Sequence, residues 1–290
     1  MSDSRPAHPA TWLNSVVDDV LQRSPENTLG GIGHERAFET CLLGFSRGDD
    51  PLYAEYKQVV GPFHWTPLEI FNKAFPQTGV MADELTVVSW ILPHREVTKS
   101  DNRKETSYPS ERWARARIFG EQLNVKLRRE MVTALQGAGY QAVAPQLFPD
   151  WSVKPSETYV MASTWSERHA AHASGLGTFG LCDGLITPLG KAMRAGSVVA
   201  RIRIPPTPRP YNDYQAYCLY FSRGLCGQCI PRCPVGALSE KGHDKVKCRE
   251  FLKPVTEEYV KSHYGFDGYG CGLCQTAVPC ESKIPTEDDL

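Results

Sequence analysis

The residues of this chain best equipped for chemistry are its cysteines, and they are unevenly placed. Of the ten, Cys41 and Cys182 stand apart, while the other eight fall between Cys218 and Cys280. No apolar run approaches membrane-spanning length. The opening residues MSDSRPAHPA lack the apolar core and the twin arginine of an export signal. A cytoplasmic location is therefore expected, and in a reducing compartment clustered cysteines serve more often as metal ligands or redox centres than as disulfides.

Their spacing selects among metals. Cys226-Gly-Gln-Cys229-Ile-Pro-Arg-Cys233-Pro234 reproduces the second, third and fourth cysteines of the bacterial ferredoxin run, including its terminal Cys-Pro. The first cysteine of that run would stand where Arg223 is found; Cys218, five residues earlier, can replace it through a longer loop. Cys248, the pair Cys271-Gly-Leu-Cys274 and Cys280 bring the total to the eight that two 4Fe–4S cubanes require. In two-cluster ferredoxins the Cys before Pro ligates the other cluster. That rule assigns Cys218, Cys226, Cys229 and Cys280 to one cluster and Cys233, Cys248, Cys271 and Cys274 to the other. Gly224, Gly227, Gly270 and Gly272 suit loops that bring backbone close to a cluster. Paired Cys-x-x-Cys motifs also suit tetrahedral zinc, so two structural zinc sites are the competing reading. The Cys-x-x-Cys-x-x-x-Cys-Pro order favours iron–sulfur.

The elements that must position these cysteines divide at Ile204-Pro-Pro-Thr-Pro-Arg-Pro210, where four prolines in seven residues can continue neither a helix nor an internal strand. The expected domains are residues 1–205, an α/β cofactor and substrate domain, and 206–290, a ferredoxin-like domain. Upstream, Leu85–Leu92 reads as a buried strand. Ser110 to about Gln136 reads as a long helix whose apolar face comprises Trp113, Ala116, Gly120, Leu123, Leu127, Met131 and Ala134. Tyr140–Ala144 and Ser197–Ile204 read as further strands, and alternation of strands with helices implies an α/β sandwich with helices covering a sheet. Hydrophobic residues at 41% and charged residues at 22% are those of an ordinary globular protein. The formal net charge of -1 offers no electrostatic case for a nucleic acid or an anionic membrane as partner.

From Glu167 the chain runs ERHAAHASGLGTFGLCDGLITPLG. This resembles the segment before the ferredoxin module of epoxyqueuosine reductases and reductive dehalogenases, where Glu-Arg precedes a Gly-Leu-Gly-x-x-Gly turn and a strand. Those enzymes also have an isolated cysteine before a Tyr-Gly-Cys-x-x-Cys pair, here Cys248 and Tyr269-Gly-Cys-Gly-Leu-Cys274. The resemblance covers roughly Tyr159 to Pro285. It implies a nitroreductase-like α/β domain that binds cobalamin, base-off, against the ferredoxin-like domain, with electrons passing through both clusters to cobalt. Carried over by position, Gly175, Leu176, Gly177, Thr178, Phe179 and Gly180 form the corrin-facing turn. Taken alone, such a turn is equally a tight connection between elements.

The chain also departs from the family pattern. Epoxyqueuosine reductases carry an aspartate as proton donor six residues before the Glu-Arg; here that residue is Met161, and Ala162, Ser163 and Thr164 supply no carboxylate. tRNA is therefore not expected as substrate. Reductive dehalogenases use a tyrosine, for which Tyr108 and Tyr159 are the candidates, and such a tyrosine needs a neighbouring cation to lower its pKa. His64, His94, His169 and His172 are further proton donors or cobalt ligands by residue type. Cys41 and Cys182 read as small buried apolar residues. The resulting expectation is a cytoplasmic, cobalamin-dependent iron–sulfur reductase of a small organic molecule, supplied by an external donor such as ferredoxin or flavodoxin. The alternatives are a non-catalytic electron-transfer or cofactor-handling protein and a tRNA-modifying reductase.

Overall fold

The computed structural model describes residues 5–31 and 33–290. In chain order the first elements are α1 (Pro9–Arg23), β1 (Leu42–Arg47), α2 (Leu52–Val59), α3 (Pro67–Ala74), β2 (Thr86–Pro93), α4 (Glu96–Lys104) and α5 (Glu111–Gly137). There follow β3 (Ala142–Val143), β4 (Val153–Ser156), β5 (Val160–Ser163), α6 (Glu167–Ala173), β6 (Thr178–Phe179), β7 (Leu185–Ile186) and β8 (Met193–Ala200). The remainder holds α7 (Leu219–Arg223), β9 (Leu238–Ser239), β10 (Gly242–His243), α8 (Lys245–Glu250) and α9 (Thr256–Tyr264).

The main sheet has the order β1-β2-β8-β3, with every neighbouring pair antiparallel. β2 is buried along its whole length except at Pro93, which is why its sequence is a continuous apolar run and not an alternating one. On one face, Val88, Trp90, Leu92, Val198 and Ala200 pack in a single cluster with residues of α1 and α5. On the other, Val87, Val143 and Val199 pack with Tyr53 and Tyr56 of α2, Ile70 and Phe71 of α3, and Ala170 and Ala173 of α6. The result is a mixed α/β sandwich, helices on both faces of an antiparallel sheet.

The long helix forms as its periodicity predicts. The Ser110 side chain accepts the Trp113 N–H at 3.3 Å, and Trp113, Ala116, Gly120, Leu123, Leu127 and Met131 are buried. The strand expected over Ser197–Ile204 instead runs over Met193–Ala200. Its partner β2 begins at Thr86, paired with Ala200, so later residues have no strand to extend along. Thr86 turns the chain there, donating to the Ile202 carbonyl at 2.7 Å and accepting the Ile204 N–H at 3.2 Å.

The proline-rich stretch lies extended beside the edge strand β1, with the Thr207 N–H donating to Phe45 O and the Phe45 N–H to Thr207 Oγ1, both at 2.9 Å. Beyond it only short elements occur, the longest being α9 with nine residues. This cysteine-rich segment is tied to α4 and the turn after it. Arg103 pairs with Glu281, Asn102 donates to Thr276 Oγ1 at 3.1 Å, and Arg232 donates to the carbonyls of Glu105 at 2.9 Å and Asn102 at 3.2 Å. Among the described residues no helix is long and apolar enough to cross a membrane.

Candidate functional site

The chain gathers its clustered cysteines into two groups. Cys218, Cys226, Cys229 and Cys280 share the walls of one cavity, together with Leu181, Ile186, Leu219, Val278 and Lys191. Nearby, Cys271 has Cys248 and Cys233 as electrostatic neighbours, and Cys274 has Cys271. The cavity holds the four cysteines that the Cys-before-Pro rule places together, while Cys233 and Cys274 of the other four pack against the same core. Among the described residues, no three Cys, His, Asp or Glu side chains converge closely enough to hold a single metal ion.

Burial pushes the Cys229 thiol up to about 12 and the Cys271 and Cys280 thiols up to about 11. Such thiols give up their protons only against a bound cation, which couples metal binding to proton release. The loops supply donors to sulfur: the Ala237 N–H lies 3.1 Å from Cys233 Sγ. Burial opposes protonation of His243, but hydrogen bonds to Asp183 and Cys248 carry it up to about 9. Gly272 is required by a neighbour and not by a cluster, since a Cβ there would lie 1.9 Å from the Trp113 ring.

Cys41 and Cys182 differ from each other. Cys41 is half-buried against the α1–α5 core, and burial pushes its thiol far up. Cys182 is buried as expected, but with polar neighbours. It is buried in the same cluster as Cys218, Cys229 and Cys280, lies 3.5 Å from Lys191 Nζ and hydrogen-bonds to Cys274, contacts that hold its thiol well below the usual range.

The glycine turn is packed against the protein. A Cβ at Gly177 would lie 2.2 Å from Ile186 O, one at Gly175 2.8 Å from Pro208 O, and one at Gly180 3.2 Å from Ile186 Cδ1. Leu176 and Thr178 are buried. These glycines therefore serve the pairing of β6 with β7 and the passage of the connector. Of the six turn residues expected to face a corrin, only Phe179 and Gly175 are not fully buried.

Phe179 leads to a cluster in which His64 joins His169 and His172, which stand three apart on α6. His169 and His172 of α6 lie 4.9 and 5.6 Å from the Phe179 ring, and His64 lies 5.8 Å from His169. Tyr56 hydrogen-bonds to His172 Nδ1 at 2.7 Å. Burial holds His64 and His172 neutral down to about 4. Among the described residues, no group pairs with either ring nitrogen of His64 or with His172 Nε2. Tyr56 was legible only as the second of two tyrosines three apart on a helix. His94 lies elsewhere, between Phe38 and Trp113.

The two candidate tyrosines are not brought together. Tyr108 stacks on Tyr259 with ring centroids 3.9 Å apart. Tyr159 is half-buried at the β4–β5 hairpin, with Lys245 Nζ 4.0 Å from its ring centre. Despite that cation its pKa is raised, by burial first and then by Asp183, the opposite of the shift a proton-donating tyrosine needs. Met161, on the same hairpin, touches Arg249 beside Cys248, its Sδ 2.9 Å from Nη1. Glu167 of the Glu-Arg pair is an anchor: it bonds Arg128 at 3.1 Å and also bonds Ser197, and burial raises its pKa.

No family model matches this chain, and no curated protein does. Similar solved structures are epoxyqueuosine reductases and reductive dehalogenases, the two families that the motif resembles. A catabolic reductive dehalogenase is 13% identical, with a TM-score of 0.50 over 86% of this chain and 31% of its own. A reductive dehalogenase whose structure suggests a mechanism for B12-dependent dehalogenation also has a TM-score of 0.50 at 13% identity, over 86% of this chain and 30% of its own. The epoxyqueuosine reductase of Bacillus subtilis is 17% identical, with a TM-score of 0.45 over 95% of this chain and 68% of its own. At these identities the likeness to the dehalogenases is one of fold, and this chain spans about a third of their length.

Proposed function

We propose that this chain is a cytoplasmic iron–sulfur oxidoreductase whose residues 206–290 form a ferredoxin-like domain carrying two 4Fe–4S clusters. Single electrons enter from an external donor such as ferredoxin or flavodoxin and pass toward the domain of residues 1–205, where a small organic molecule is reduced. The observation that supports this reading is that Cys218, Cys226, Cys229 and Cys280, far apart in the chain, line one cavity. Thiolates in fours fit cubane clusters, and each cluster supplies one-electron transfer. The fold shared with reductive dehalogenases supports a reductase, and cobalamin is the acceptor that the resemblance implies. In that reading the Gly175–Gly180 turn would lie against the corrin. Tyr56, hydrogen-bonded to His172 beside Phe179, joins Tyr108 and Tyr159 as a candidate proton donor, although burial raises its pKa as it does that of Tyr159.

Protein purified without oxygen should carry about eight irons and as many acid-labile sulfides. Cys248→Ser should remove one cluster, whereas Cys41→Ser and Cys182→Ser should keep full iron content. Zinc, or iron for one cluster only, would sink the reading. Incubation with hydroxocobalamin followed by desalting separates its two forms. Retained corrinoid supports the cobalamin-dependent reductase. Full clusters without corrinoid support the electron-transfer protein.

A further inference from the structure

Lys191 is a lysine in an unusual place. Only 3% exposed, it lines the cavity shared by Cys218, Cys226, Cys229 and Cys280. Its backbone N–H donates to the Cys280 carbonyl at 2.9 Å, fixing the loop before β8 against the cysteine-rich segment. Its Nζ lies 3.5 Å from Cys182 Sγ. Cys182, which belongs to neither group of four, packs with Cys229 and Cys280 of one group and hydrogen-bonds to Cys274 of the other; burial opposes the lysine's charge and these sulfurs favour it. An ammonium withdrawn from water needs compensating negative charge nearby, and here the sequence offers thiols of both groups.

We propose that Lys191 is a positioning cation shared by the two clusters, and that its buried positive charge raises the reduction potential of both. This rests on the two-cluster reading. Reduction adds an electron to a cluster, and a fixed positive charge at short range in a poorly screening interior stabilises that extra negative charge. Because one side chain faces thiols of both groups, a single residue shifts the two potentials in the same direction. Electron entry from a donor then becomes easier without a change in any ligand.

The test is a redox titration of the full chain, purified without oxygen and followed by electron paramagnetic resonance, after iron content has been measured. Fewer than two clusters in the unsubstituted protein would refute the cluster reading itself. With both present, Lys191→Met at full iron content should lower the reduced-to-oxidised ratio at a fixed potential by about tenfold, which is about 59 mV for a one-electron couple. Lys191→Arg should leave the ratio near that of the unsubstituted protein. Unchanged potentials in Lys191→Met with both clusters intact would overturn the proposal. Should neutral substitutions at 191 lose a cluster, Gly184 decides. A Cβ there would lie 3.2 Å from Cys182 Sγ and 3.9 Å from Lys191 Cδ, so Gly184→Asp sets a carboxylate beside the ammonium while keeping the lysine. Potentials lower in Gly184→Asp than in Gly184→Asn support the role, and equal potentials refute it.

Discussion

Upstream of the proline-rich connector the buried side chains are large and apolar: Trp90, Trp165, Phe38, Phe71, Leu123 and Ile91 are all under 2% exposed. Downstream, the main buried cluster is built around Cys218, Cys229 and Cys280 with Leu238 and Val278, and it borrows Leu181, Cys182 and Ile186 from the upstream half. Helices show the same contrast. α5 runs for 27 residues with an apolar face on the sheet, whereas α7 and α8 have five and six residues. Isolated helices this short are not stable by themselves. The sandwich is held by ordinary burial of apolar area. The cysteine-rich segment has little of it and is held by its ties to α4 and, in the proposed function, by the clusters on its thiols.

The sharpest way to break this comparison is to remove the iron that the proposed function places on these thiols. Chelation under reducing conditions should abolish amide protection across residues 211–290 while the strands of the main sheet stay protected, read by hydrogen exchange with mass spectrometry. Equal protection of both halves before and after chelation would mean that the segment has an apolar core sufficient for its own stability. The second test addresses the turn between the halves. In Gly177→Val the added atoms meet the Ile186 carbonyl, and overpacking of this kind costs about 1–3 kcal/mol. Urea denaturation of the upstream half should report that loss with iron content unchanged. A stable variant that lost only the ability to bind a corrinoid would support the corrin-facing role of the turn.

The smallest effect concerns pH and belongs to the upstream half. Burial lowers His64 and His172 to about 4 and His94 to about 3, against an ordinary 6.5. Between those values the unfolded chain binds protons that the folded chain does not, so stability rises with pH there. Each histidine therefore costs stability as pH falls below 6.5, and the cost is complete below its folded value. His64→Phe should flatten the fall of the urea midpoint through this window. An unchanged slope would mean that His64 takes up protons in the folded protein.

Much of the sandwich could be read from sequence because its signals are local. The continuous apolar run of β2, the periodic face of α5 and its Ser110 cap each depend on residues close together in the chain. That Cys218, Cys226, Cys229 and Cys280 meet was also suggested by spacing, since the Cys-Pro signature lies in a few neighbouring residues. Strand ends were less so, since β8 stops where its partner β2 starts, a fact of pairing and not of composition.

What only the tertiary structure decided lies where side chains from distant segments meet. Met161 could be seen to replace an aspartate, but nothing local said that Tyr108 would stack on Tyr259 or that burial and Asp183 would outweigh Lys245 at Tyr159. His64 and His172 stand 108 positions apart in the sequence and meet around Tyr56, with ring contacts of 6.1 and 6.2 Å. Lys191 carried no motif at all. Its proximity to thiols of both groups arises because the loop before β8 is hydrogen-bonded to Cys280, and charge in a buried space acts on whatever the fold brings near, however far apart in the chain.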